Sequence, residues 1–449
     1  MDNKHKLMES ENITKLLIKF SVPAVIGMLV NALYNIVDRI YISNIKSVGY
    51  YAIGGVGIIF PVVIFAFAFS MLIGLGSGTN ISLNLGRKNR IEAEKYLGNG
   101  IGYGLIISFI LMALVLFNMD LLISVLGGSE NTGIFAKQYL KVITFGFPAG
   151  IISFSANVAI RSDGNPKMAM ATLLIGAIIN IVLDPVFIFY LNMGVKGAGL
   201  ATIISQYAST IWTLYYFNSK YSGLKLHLKY IVPTFRRIKE ISIMGSAPCA
   251  LQLGASLVNY IYNSTLKIYG GDASISAMAI IQGIVIFLSM PIFGINQGVQ
   301  PILGFNYGAK LFNRVREAFW KAVMIATTIC LLDFAITQLL PKYYIFIFTK
   351  DIMDLTIKGL KINTLMFPII GFQIISSVYF QAVGKPKLSL FITLSRQIII
   401  LIPCIKIMGK LFGVTGIWFA APIADFLSTA FTYYLIRIEM RDLKKRLVK

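Results

Sequence analysis

The chain has 449 residues, is 56% hydrophobic and only 13% charged, and has a mean hydropathy of +0.74; soluble domains carry about 25% charged residues, so a water-soluble globular fold is excluded. A net charge of +22 would suit a nucleic-acid binder, but the basic residues fall between apolar segments, so the charge reports membrane topology and not a nucleic-acid partner. Cys249, Cys330 and Cys404 lie in apolar stretches without metal-ligand spacing, and the two histidines, His5 and His227, lie outside the apolar runs; no paired metal motif, nucleophile elbow or phosphate loop equips the chain as an enzyme.

The opening MDNKHKLMESENITK is too polar for a cleavable signal peptide, so the first apolar helix is expected to remain. About twelve apolar segments follow, and runs such as Ile101 to Phe117, Met168 to Leu191 and Lys321 to Leu340 approach the ~20 residues that cross a bilayer. They are continuously apolar instead of alternating, which predicts helices and not barrel strands. The first helix carries Pro23 and then Asn31, Tyr34, Asn35, Asp38 and Tyr41, one polar stripe at helical spacing. Arg39 is adjacent to Asp38 and so points elsewhere.

In the fourth helix, Asn157 stands one turn before Arg161. The fifth reads Asn180-Ile-Val-Leu-Asp184-Pro185, an amide and a carboxylate one turn apart, where Pro185 leaves the carbonyl of Ile181 without its helical partner. The sixth opens Gly197-Ala198-Gly199-Leu200-Ala201-Thr202, small residues that permit close helix approach; a lone Thr is ordinarily satisfied by its own i−4 carbonyl. A polar, basic stretch, 219–239, separates six helices in 1–218 from six in 240–449. The second set offers Asn263, Gln282, Met290 beside Pro291, Asp333 and Asp425; Asp425 faces the cavity, pairs with Arg396 or sits at the membrane edge. The basic residues collect in alternate loops and near both ends, which places both termini in the cytoplasm and requires an even helix count.

The two sets are copies at a shift of about 220 residues. Ser21-Val22-Pro23 matches Ser246-Ala247-Pro248, Asp38 matches Asn263, Gly164-Asn165-Pro166-Lys167 matches Gly384-Lys385-Pro386-Lys387, and Gly194-Val195-Lys196-Gly197 matches Gly413-Val414-Thr415-Gly416. Six helices per copy make the repeats parallel, about an axis along the membrane normal. Paired lobes of this kind commonly build an alternating-access transporter.

Pro23 with Leu33-Tyr34-Asn35-Ile36-Val37-Asp38, the Asn180–Pro185 and Gly194–Thr202 segments, Gln300-Pro301-Ile302-Leu303-Gly304-Phe305-Asn306-Tyr307-Gly308 and Ser395-Arg396-Gln397 together resemble multidrug and toxic compound extrusion (MATE) transporters, nearest the MepA-like group of the DinF-related branch. The resemblance covers nearly the whole chain. It implies an all-α membrane protein of twelve helices in two six-helix lobes forming a V, exporting lipophilic organic cations and drugs in exchange for H+ or Na+. It assigns the coupling-ion site to Asp38, Asn180, Asp184 and Thr202, bending to Pro23, and a substrate cavity to Met28, Asn31 and Asn157. Tyr34, Asn35, Met290 and Asp425 are further cavity candidates, and Pro185 a second kink. Neutral Asn263 and Gln282 stand where the NorM branch has coupling carboxylates, which argues against coupling through the second lobe in that manner.

The expectations are a monomeric, multi-pass protein of a bacterial inner membrane, surrounded by lipid, with no cofactor and with no metal ion other than possible Na+ at the four coupling-ion residues. The alternative, a flippase for lipid-linked oligosaccharides or polysaccharides, calls for a strongly basic cavity; here Asp38, Asp184, Asp333 and Asp425 offset Arg39, Arg396, Lys267 and Lys406.

Overall fold

A computed structural model of the chain describes residues 3–45, 48–346 and 352–448, and the described residues form helices without a strand. After a short helix, Asn3–Ser10, the spans are α1 (Ile13–Ser43), α2 (Gly49–Gly86), α3 (Arg90–Phe117), α4 (Glu130–Thr144 and Phe147–Ser162, bent by 53°), α5 (Pro166–Pro185, running into a π-helical turn Val186–Tyr190) and α6 (Val195–Asn218). The helical run Phe235–Gly308 breaks at Gly271, whose φ of 62° suits glycine, into α7 (235–270) and α8 (272–308). Then come α9 (Phe312–Leu339), α10 (Met353–Asn363 and Phe367–Ala382, also bent by 53°), and a run from Pro386 that breaks at Gly413 into α11 (386–412) and α12 (414–448).

Among the described residues, seven runs are long and apolar enough by themselves to cross a membrane, and nine if each bent pair is one span. Dividing two of them at Gly271 and Gly413, and adding the less apolar α6, gives the twelve read from the sequence. Local signals set the starts: Asn89 accepts from Glu92 N at the head of α3, Asn165 from Met168 N at the head of α5 with Pro166 in the first turn, and Ser129 with Thr132 forms a reciprocal cap on α4. The duplication is visible in the backbone itself. Positive φ recurs at Lys88 (61°) and Lys310 (60°), Gly164 (85°) and Gly384 (79°), and Gly194 (56°) and Gly413 (60°).

The lobes meet at the end that carries both termini. There, a Cβ on Gly245 of α7 would lie 1.8 Å from the Leu72 carbonyl oxygen of α2, on Gly308 of α8 2.2 Å from that of Leu83, and on Gly86 of α2 2.0 Å from that of Phe305. Gly294 and Gly298 of α8 press on Val25 and Ser21 of α1, where a Cβ would lie 2.5 and 2.6 Å from the nearest atoms. Small residues let backbones touch, the usual device for helix association where lipid supplies no hydrophobic drive. Gln300 donates to Thr79 across the same seam at 2.9 Å. The short Asn3–Ser10 helix lies over it: Asn306 and Arg314 of the second lobe donate to the Met8 carbonyl at 3.3 and 3.2 Å, and His5 reaches Asp163 of the first at 3.4 Å. The result is a V closed at the termini-bearing end.

Candidate functional site

Four helices of the first lobe converge near the open end. α1 supplies Tyr34 and Asp38, α5 supplies Asn180 and Asp184, α6 supplies Thr202, and the first half of α4 adds Tyr139. The approach of α6 to α5 depends on Gly197, where a Cβ would stand 2.7 Å from the Phe187 carbonyl carbon in the π-helical turn after Pro185. Gly199 packs closely on Val142, 3.0 Å from where its Cβ would be, and the Tyr139 ring edge lies beside it at 3.7 Å.

Within this cluster the Asp38 and Asp184 carboxyls lie close enough to one another to interact. Asn180 Nδ2 donates to Asp184 Oδ1 and to Thr202 Oγ1, each at 3.4 Å, and Thr202 gives its own proton back to the Ala198 carbonyl at 3.0 Å. Tyr139 lies close to Thr202, to both carboxyls and to Tyr34. Asp184 is fully buried and Asn180 is 1% exposed. Three buried oxygens, Asp38 Oδ1, Asn180 Oδ1 and Asp184 Oδ2, have no donor. Buried acceptors without donors are costly, and two carboxylates in contact repel strongly in a medium of low dielectric. A proton or a hard cation among them answers both demands; the donor set is all oxygen, as hard cations prefer. Arg39 turns away, over the Phe60 ring at 5.4 Å.

The other residues singled out in the sequence divide. Asn35 donates to the Asn31 carbonyl at 2.7 Å, and Tyr34 lies against both amides, so the α1 stripe is one continuous polar edge leading to Asp38. Met28 accepts from Gln297 of α8 at 3.1 Å, and Gln297 in turn accepts from the buried Arg161, which places Met28 at the seam between lobes. Asn157 is 3% exposed and its amide is bound to the Ala169 carbonyl at 2.6 Å, joining α4 to α5. Met290 is partly buried beside Pro291. Asp425 is paired with Arg396 at 2.6 Å, one of the options the sequence left open, so the two charges offset each other. Pro23 is buried in an unbroken helix at the closed end.

Tyr139 escapes sequence reasoning. It belongs to an amphipathic segment with Glu130, Lys137 and Lys141, where a tyrosine attracts no notice. Only the repeat marks it, because the matching position of the second lobe is Gly359.

The model of the MatE family matches residues 23–186 and 248–406, one block in each lobe. The chain belongs to the MatE family. Its relatives are transporters and not enzymes. It is 26% identical over 444 residues to the multidrug export protein MepA of Staphylococcus saprophyticus, covering 97% of each chain, and 26% identical over 443 residues to MepA of Staphylococcus aureus, covering 98% of this chain and 97% of that one. Among solved structures it superposes on an outward-facing MATE family transporter with a TM-score of 0.93 at 24% identity, covering 99% of both chains, and on a MATE in the bent conformation with a TM-score of 0.93, at 24% identity and complete coverage of both. The MATE architecture is thus the fold of this chain, and the twelve helices counted among the described residues are consistent with it.

Proposed function

We propose that this protein is an ion-coupled antiporter that exports lipophilic organic cations and drugs, with Asp38, Asn180, Asp184 and Thr202 as its coupling-ion site. The observation that carries the reading is the pair of facing carboxyls in the first lobe, with three buried oxygens that lack donors. The relatives named as multidrug export proteins support drugs as the cargo. We read 1–218 and 240–449 as the two moving lobes and 219–239 as their connection, in a bacterial cell membrane with both termini cytoplasmic, because the basic turns lie at the termini-bearing end.

In this reading H+ or Na+ enters from the open side of the V and binds between α1 and α5. Neutralising the carboxyls removes the repulsion that sets how α1 packs against α5 and α6, and so biases the lobes towards the state open at the other end. Drug and ion must prefer opposite states for one gradient to drive the other. A lipid-phosphate flippase would need a net basic interior, and the pairing of Arg396 with Asp425 removes the cation best placed to provide one. The test is efflux of a lipophilic cationic dye from proteoliposomes carrying either a pH gradient or a Na+ gradient. One of the two is expected to drive efflux; failure of both would refute ion-coupled export.

A further inference from the structure

The connection between the lobes is not a slack tether. Glu94 of α3 accepts from the Lys225 backbone N–H at 3.1 Å and contacts His227 at 3.2 Å, while Asn99 donates to the Tyr230 carbonyl and accepts from Thr234 N–H, both at 2.8 Å. The backbone packs onto glycines: a Cβ on Gly98 would lie 2.7 Å from the Tyr230 oxygen and on Gly102 1.6 Å from that of Ile231. The charged residues of α3 end at Lys95, and its apolar run begins at Ile101. The connection's contacts, from Glu94 to Gly102, therefore straddle the start of that run, at the depth where headgroups meet hydrocarbon.

Fixed at that depth, it turns large apolar side chains outwards: Leu228 is 81% exposed, Val232 76% and Phe235 81%. Residues 219–239 contain six cations and no Asp or Glu. Arg236 and Arg237 are engaged with Glu240 and Glu92, each at 3.0 Å. Lys220, Lys225, Lys229 and Lys239 are exposed and have no carboxylate partner among the described residues; Lys220 and Lys229 instead lie over the Tyr221 and Tyr230 rings at 5.7 and 5.0 Å. Apolar tips flanked by tyrosines and by lysines that have no carboxylate partner match a surface seated in an anionic leaflet.

We propose that the connection is a membrane-docking surface, in which Leu228, Val232 and Phe235 insert between lipids of the termini-side leaflet and the four lysines bind anionic headgroups. Because the segment packs on α3 and runs on into α7, whose first residue is Phe235, the docked surface seats the junction between the lobes in the bilayer. The inference rests on the membrane reading of the chain and is independent of the coupling-ion site.

The experiment uses the full chain with Val232→Cys carrying a polarity-sensitive fluorophore, reconstituted into phosphatidylcholine vesicles with or without phosphatidylglycerol. The parent protein, in which Cys249 and Cys330 are buried, is labelled in parallel as background. Expected are quenching by brominated lipid and protection from aqueous iodide. Both should strengthen with phosphatidylglycerol and lose that dependence when the four lysines become glutamine, since each basic residue at an anionic surface is worth roughly fivefold in binding. Iodide quenching in both vesicle types would overturn the proposal, as would fluorophore protection that disappears on diluting the protein in the bilayer, which would assign the surface to a second copy. No transported substrate enters the readout, so its outcome is separable from failure of the export reading.

Discussion

Asp38, Asn180, Asp184 and Thr202 stand out in the sequence because each interrupts an apolar run, where a polar group must find a partner or a function. The structure adds what spacing cannot give, the contact of Asp38 with Asp184 between helices more than 140 residues apart in the chain, and the presence of Tyr139. Tyr139→Phe keeps the buried ring and removes the hydroxyl beside Thr202. A net hydrogen bond is worth about 1 kcal/mol, so the ion concentration for half-maximal efflux should rise about fivefold with folding unchanged. An unaltered ion dependence would place the hydroxyl outside the coupling site. Asn157 shows the opposite limit of sequence reading: its position in an apolar run is conspicuous, yet its amide is bound to the Ala169 carbonyl.

At the scale of elements, the helices and the repeat are legible from apolar length and from the paired Gly-Asn-Pro-Lys and Gly-Lys-Pro-Lys turns. The 53° bends in α4 and α10 are not, since neither half of a bent pair qualifies as a span without the other. Nor does the sequence disclose which end of the V is shut. The closed seam is built on glycines, so adding one side chain there should act on conformation more than on folding. For Gly245→Val, overpacking of about 1–3 kcal/mol in the closed seam predicts a roughly 5- to 150-fold shift towards the state open at the termini end. Spin-label distances between the turns after α2 and α8 should lengthen; an unchanged distribution would mean that the contact with Leu72 does not hold the seam.

For the whole molecule, the two lobes share backbone but not chemistry. Where the first lobe has Asp38, Asn180, Asp184 and Thr202, the repeat places Asn263, Ile400, Cys404 and Ala421 in the second. Even the filling of the space is exchanged: Tyr139 lies against Gly199 in the first lobe, and in the second Gly359 lies against Trp418, which is 1% exposed and packs 2.9 Å from where a Gly359 Cβ would be. Aromatic bulk comes from α4 on one side and α12 on the other, which leaves oxygen donors around the ring in the first lobe and apolar side chains in the second. In the proposed reading one lobe binds the ion, and the other follows it through the shared seam.

The most direct test of that asymmetry is gradient-driven dye efflux in proteoliposomes for Asp38→Asn and Asp184→Asn, with dye binding measured on the same preparations. Both variants are predicted to bind the dye and to lose at least about tenfold of the gradient-driven rate, the equivalent of about 1.4 kcal/mol of coupling. Full gradient-driven efflux in both would contradict the assignment of coupling to the first lobe.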